Sequence, residues 1–193
     1  PELTGQITNL YKCFLPQAWR WSNSKGMVGF LHPDGVYDDP SGGILRAEIY
    51  PRLKAHFQFQ NEKKLFEIGN QAKFGISIYG PHNEHIDFPN ICNLYSPKTI
   101  DLCFEHNGLG PVQGIKNDNN DWNLDGHASR ITRVTIEALG TFVQLYDEPG
   151  TPVLEARLPL MHSQELVFVL QKLAAHPKRL ADFKSDYFFS LIY

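Results

Sequence analysis

The stretch Pro81-His82-Asn83-Glu84-His85-Ile86-Asp87 brings two imidazoles and two carboxylates into seven positions. Side chains of these types, this close, suit a transition metal, or divide into a base and the group that orients it. If the stretch is extended, His85 and Asp87 share one face and His82 and Glu84 the other. A loop would instead gather His82, His85 and Asp87 around one point. These three are therefore the candidate catalytic residues, and a metal-dependent enzyme is one functional expectation.

Asp121-Trp122-Asn123-Leu124-Asp125-Gly126 follows the first six positions of a calcium loop, in which alternate oxygen ligands turn inward and glycine permits the sharp bend. Asp121, Asn123 and Asp125 are the candidate metal ligands, with Ser129 at the ninth position acting through water. Thr132 occupies the twelfth position, where a bidentate Glu belongs, so calcium over 121–129 would be held weakly. Without calcium, the same residues read as a turn-rich loop in which Trp122 has no evident partner. His32-Pro33-Asp34 has the His-x-Asp form of a non-haem iron site, but Pro33-Asp34-Gly35 also reads as a turn. His127 offers no third ligand in that pattern, because Arg130 and Arg133 follow it too closely, and the turn is preferred. Glu62-Lys63-Lys64 reads as a polar turn. The three cysteines, Cys13, Cys92 and Cys103, form no CxxC pair, which points to reduced thiols and a cytoplasmic setting. No glycine-rich phosphate loop, nucleophile elbow or basic stripe is present.

These residues need elements to position them. The 193 residues are 42% hydrophobic and 20% charged with a formal charge of −3, ordinary values for a folded domain and a poor match to a nucleic-acid clamp. No apolar run is long enough to span a membrane and no leader-like segment opens the chain. No composition break marks a boundary, so residues 1–193 are expected to form a single domain.

Period-two alternation dominates. Leu45, Ala47, Ile49, Leu53, Ala55, Phe57 and Phe59 oppose Arg46, Glu48, Tyr50, Arg52, Lys54, His56 and Gln58, a half-buried pattern expected to form two strands, or one strongly bent strand, kinked at Pro51. Further strands are expected over Met27–Leu31, Leu65–Ile68, 72–78, 99–104 and 134–138. Thr141–Asp147 and Val153–Leu158 are read as strands joined by a turn at Glu148-Pro149-Gly150-Thr151. Helices are expected over Leu3–Phe14 and from Ser163 onward, where Leu166, Leu170 and Leu173 form a stripe; a second helix after Pro177 would carry Leu180, Phe183 and Tyr187.

The expected fold is therefore mainly β with a minor α component. Its antiparallel curled sheet would close as a barrel or fold as a sandwich, with an N-terminal helix and one or two C-terminal helices. At the level of fold alone the pattern resembles lipocalin-type and other calycin barrels. Aromatic residues make up 12% of the chain, and such rings could line a pocket for an apolar or aromatic small molecule. Wet-face residues able to point inward, Tyr50, His56 and Tyr79, with Trp21 at one end, are the candidate ligand contacts. The favoured function is a small-molecule-binding barrel or cup, acting as a lyase, isomerase or cyclase if it turns its ligand over. The alternative is a non-catalytic interaction or assembly module using an exposed face or the C-terminal helices, in which the apolar Leu191-Ile192-Tyr193 would be covered by a second copy. Neither nucleic acid nor membrane is an expected partner.

Overall fold

The computed structural model describes residues 2–5, 9–178 and 182. Helix α1 (Leu10–Trp21) leads into strand β1 (Val28–Pro33), helix α2 (Gly43–Ile49) and strand β2 (Leu53–Gln60). Strands β3 (Lys73–Tyr79) and β4 (Asp87–Leu94), helix α3 (Lys98–Glu105), strand β5 (Thr132–Thr135) and helices α4 (Ile136–Tyr146) and α5 (Gln164–Ala174) follow. The strands form one open mixed sheet in the order β1-β3-β2-β4-β5. All neighbours are antiparallel except β2 and β4, which run parallel with His56 opposite Asn90. Since β1 and β2 both run against β3, strands β1, β2 and β4 share a direction and end on the same edge.

This corrects the expected curled antiparallel barrel or sandwich, because β1 and β5 stand at opposite ends of the sheet and do not meet. Several expected strands are helical. Leu45 and Ile49, four residues apart, are both fully buried on one side of α2, and Pro51 separates that helix from β2. Residues 99–104 belong to α3, whose buried Thr99 and Cys103 have the same spacing. The segment 134–138 divides where Thr135 Oγ1 accepts the Ala138 N–H, capping α4, which also takes up most of Thr141–Asp147. The turn at Pro149-Gly150 forms, with Gly150 at φ +92°, but a single helical turn at Val153–Glu155 follows it in place of a strand. Leu65–Ile68 is a series of bends held by Asn61, whose amide reaches the carbonyls of Phe66, Ile68 and Gly69.

The N-terminal helix starts later than expected, at Leu10. Along α5, Val167 is buried and Leu170 packs against the core as expected, while Leu166 and Leu173, the other two residues of the expected stripe, are exposed. The helix expected after Pro177 and the Leu191–Tyr193 segment lie outside the described residues. No helix among the described residues is long and apolar enough to cross a membrane.

The sheet is covered unequally. Leu15 of α1, Leu45 and Ile49 of α2, Leu139 and Phe142 of α4, and Val167 of α5 pack with Tyr79, Phe88 and Val134 on one face. Each such side chain contributes roughly 1.5–3 kcal/mol by leaving water. The other face carries Phe59, Phe74, Ile91 and Leu94, with Cys103 and Ile100 of α3 against them. Beyond α3, Leu31 and Phe104 stay about half exposed.

Candidate functional site

The polar residues gathered on the helix-rich face form a buried hydrogen-bonded chain at the carboxyl edge of the sheet. Asp34 follows β1 directly and opens a single 3-10 turn, with its carbonyl accepting the Tyr37 N–H. Its Oδ1 lies 3.1 Å from His56 Nε2. His56 Nδ1 lies 2.8 Å from Asn90 Oδ1 on the parallel neighbour β4. Asn90 Nδ2 donates to Thr132 Oγ1 on β5 (3.3 Å), and Thr132 Oγ1 donates back to the Asn90 carbonyl (2.9 Å). A run of side-chain contacts thus crosses from β1 through β2 and β4 to β5. His56, Asn90 and Thr132 are at most 1% exposed.

Asp34 is the end of this chain that meets solvent. It is 7% exposed and lines a cleft of about 330 Å³, together with Asp38, Gln71, Lys73 and the apolar run Leu158-Pro159-Leu160. Among the described residues none donates a hydrogen bond to Asp34 Oδ2. Gly75, beside His56 in the sheet, leaves the pair room: a Cβ there would stand 2.7 Å from His56 Nε2 and 3.2 Å from Asp34 Oδ1.

A second buried network adjoins the first. His32 Nδ1 donates to the Pro33 carbonyl (2.8 Å), leaving Nε2 to accept from the Tyr79 hydroxyl (3.2 Å). Tyr37 links Tyr79 (3.4 Å) to Ser77 (2.9 Å), and its ring lies 4.4 Å from that of His56. Burial holds His32 below the usual histidine range and pushes Tyr79 up to about 12, so both are neutral near pH 7.

The residues singled out from the sequence are scattered. His56 belongs to the chain described above. Tyr79 is a buried part of the adjoining network. Tyr50 is a core residue whose hydroxyl donates to the Ala156 carbonyl (2.6 Å) and whose ring lies 6.3 Å from that of Phe88. Trp21 is 81% exposed at the end of α1. His82 and His85 are exposed on the β3–β4 connection, and Asp87 is paired with Arg133 across β4 and β5 at 2.6 Å, which holds its carboxyl below the usual range.

Asp121 is exposed, Asn123 Oδ1 accepts the Asp125 N–H, and the Asp125 carbonyl accepts from the guanidinium of Arg130. Trp122 does have partners: its ring stacks on Tyr95 at 4.6 Å and Lys116 Nζ lies over it at 4.2 Å. No group of three or more His, Cys, Asp or Glu side chains placed to hold a metal ion occurs among the described residues. A wider cleft of about 470 Å³ opens beside α3 and contains His106 and His127. Both nitrogens of His127 are occupied, one by the Ser129 N–H and the other by the Gly110 carbonyl, so it offers less free chemistry than Asp34.

With no closed barrel interior, the aromatic-lined pocket loses its site, and so does the lyase, isomerase or cyclase chemistry placed there. Asp34, Asn90, Thr132 and Lys73 were not among the sequence candidates. The one signal pointing to them was the His32-Pro33-Asp34 motif, and both its polar residues prove to be buried.

No family model matches the chain, and no match was found among curated proteins. Among solved structures, the M protein of the type I restriction enzyme EcoKI is weakly similar, with a TM-score of 0.45 at 13% identity over 89% of this chain and 44% of that one. The chain spans less than half the length of that protein, and so faint a likeness carries no argument about function.

Proposed function

We propose that this chain binds a small polar molecule in the cleft at the carboxyl edge of its sheet, with Asp34 accepting an N–H or O–H from it. The observation that carries the proposal is the state of the Asp34 carboxyl. One oxygen is committed to His56, while the other takes no hydrogen bond from the described residues, and Asp34 lines a cleft. Leaving such a group unsatisfied costs on the order of 1–3 kcal/mol, so water or a ligand must meet it. The volume suits a small molecule, and open sheets with parallel strands take ligands beyond the carboxyl ends of those strands. Leu158-Pro159-Leu160 offers apolar lining for the body of the ligand, and Lys73 and Gln71 bring donors to the same lining as Asp34.

The test is a ligand-observed NMR screen of small amides, amines and alcohols on the intact chain, repeated on Asp34→Asn. Asn presents the same shape with half the acceptor capacity, and binders at this cleft are expected to weaken about tenfold, the size of one charge-assisted hydrogen bond. Binders whose affinity is unchanged in Asp34→Asn would place the site elsewhere and remove the proposal.

A further inference from the structure

We propose that α1 is the contact between two copies of this chain, which pair antiparallel along its outward face so that Leu10 of each copy enters the hollow beside Trp21 of the other.

Helix α1 has two unlike faces. Leu15 and Pro16 are buried, Tyr11 and Trp19 pack on the same core, and Lys12 reaches inward to Asp39. At about 3.6 residues per turn, Leu10, Phe14, Gln17 and Trp21 then fall together on the opposite side. Leu10, Phe14 and Trp21 are 70%, 47% and 81% exposed, and Gln17 is exposed between them. No charged residue interrupts this stripe. A helix lying on a core ordinarily turns polar side chains outward, so three large apolar ones in a row mark a contact surface.

The spacing identifies what the surface fits. Steps of four, three and four residues give the 3.5-residue repeat by which two helices pack along a common seam. The same steps also read alike in both directions. A second copy laid antiparallel on the first therefore presents the same residues in register, Leu10 opposite Trp21 and Phe14 opposite Gln17. This is the self-matching that a two-fold contact requires.

The ends of the seam fit as well. Beside Trp21 lies an open hollow of about 400 Å³, with Ala18, Met27 and Val28 among its walls. Antiparallel packing brings Leu10 of the other copy to that hollow, and the two-fold axis fills both hollows at once. A parallel pair would instead set Trp21 against Trp21 and leave the hollows empty. Opposed helix dipoles favour the antiparallel order too. With Phe and Trp rings covering roughly 150–250 Å² each, the exposed parts of Leu10, Phe14, Trp21 and Met27 amount to on the order of 500 Å² per copy. The pair would then bury about 1,000 Å², at the lower limit of specific interfaces, which makes the dimer a weak and exchanging one.

Sedimentation equilibrium of the intact chain, from about 1 to 200 μM, reads the assembly, and a reversible monomer–dimer equilibrium with a Kd on the order of 10–100 μM is expected. Phe14→Glu changes an outward position outside the core, so it should keep the wild-type circular dichroism and stay monomeric throughout. Trp21→Glu takes its place if that variant does not fold. Orientation is read from a charge pair. Leu10→Glu and Trp21→Lys should each weaken the dimer, while the two in one chain should dimerise about tenfold more tightly than either alone, because the pair forms twice. Within one helix these positions lie about 16 Å apart, beyond the reach of screened charges at physiological salt, so the rescue comes from pairing between copies. A chain monomeric at every concentration, its stripe covered by other residues of its own or by a different protein, would overturn the proposal. A dimer that survives the glutamate substitution would do the same, and a double variant weaker than both single ones would overturn the antiparallel order.

Discussion

Gly75 is the position where a single methyl group separates the site from an ordinary stretch of sheet. A Cβ there would be driven against the side-chain ends of His56 and Asp34, 2.7 Å from Nε2 and 3.2 Å from Oδ1, and these two are already committed to each other at 3.1 Å. Gly75→Ala is expected to destabilise the chain by about 1–3 kcal/mol in equilibrium urea unfolding, as overpacking does. Gly35→Ala, two residues before Tyr37 and with nothing within 4 Å of its added carbon, should stay within about 0.5 kcal/mol of wild type. Equal shifts in the two variants would contradict the close contact. At this scale the sequence was only partly legible. His56 and Gln58 alternate with Phe57 and Phe59 and read as residues of a wet face, yet His56 and Gln58 are both 1% exposed. Polar side chains alternate in the same way whether they meet water or one another. Gln58 accepts the Asn93 N–H and donates to the Phe59 carbonyl, and no pattern in one strand announces partners from another.

Elements were legible where a strand had its polar neighbours close in sequence, and obscure where helix and strand periods coincide. Phe74, Ile76 and Ile78 share a face of β3 as their alternation implied. Leu45 and Ile49 satisfy both a two-residue and a four-residue repeat, and the helix prevails there because both can be buried against the sheet while Arg46 reaches the carbonyls of Val36, Asp39 and Glu155. The attachment of α1 to the rest depends on a comparable polar contact, Lys12 Nζ to Asp39 Oδ2 at 2.7 Å, with the lysine side chain 7% exposed. That ammonium holds the Asp39 carboxyl below the usual carboxylate range. The folded state thus binds this proton less readily than the unfolded chain, so the contribution is complete above the ordinary carboxylate range and is lost as pH falls from there through the lowered folded-state value. Asp39→Asn, which leaves Lys12 without its counter-ion, is expected to lower stability by about 1–3 kcal/mol at pH 7, discounted from a fully buried pair because Asp39 is 25% exposed. In thermal melts the gap should shrink toward pH 3; a gap constant from pH 7 to pH 3 would show that the ion pair contributes nothing.

At the scale of the molecule, a sheet open at both ends and covered unequally predicts an uneven distribution of stability. Strand β2 lies between β3 and β4, whereas β1 and β5 each have one strand neighbour. Amides of β2 are expected to exchange with solvent hydrogen at least about tenfold more slowly than those of β1 and β5, because the outer strands can open without dismantling the centre. Equal protection across all five strands would mean that the sheet opens only as a unit. The expected barrel failed at this scale because closure is decided by strands that never touch, and nothing local in Val28–Pro33 or Thr132–Thr135 declares that they stand at opposite ends. The long polar run from Asn107 to Ser129 is nonetheless tied down. Arg130, 2% exposed, reaches back to the carbonyls of Cys92, Asn93 and Asp125. Gly126 rests so closely on α3 that a carbon added to it would fall 2.3–2.5 Å from Leu102 and Cys103. The run is thus a fitted part whose seat is the backbone of a neighbouring helix. An engineer wishing to transplant it, shorten it or decorate it near its end would have to bring that helix along, because the missing side chain at one position is what lets the two pieces mate.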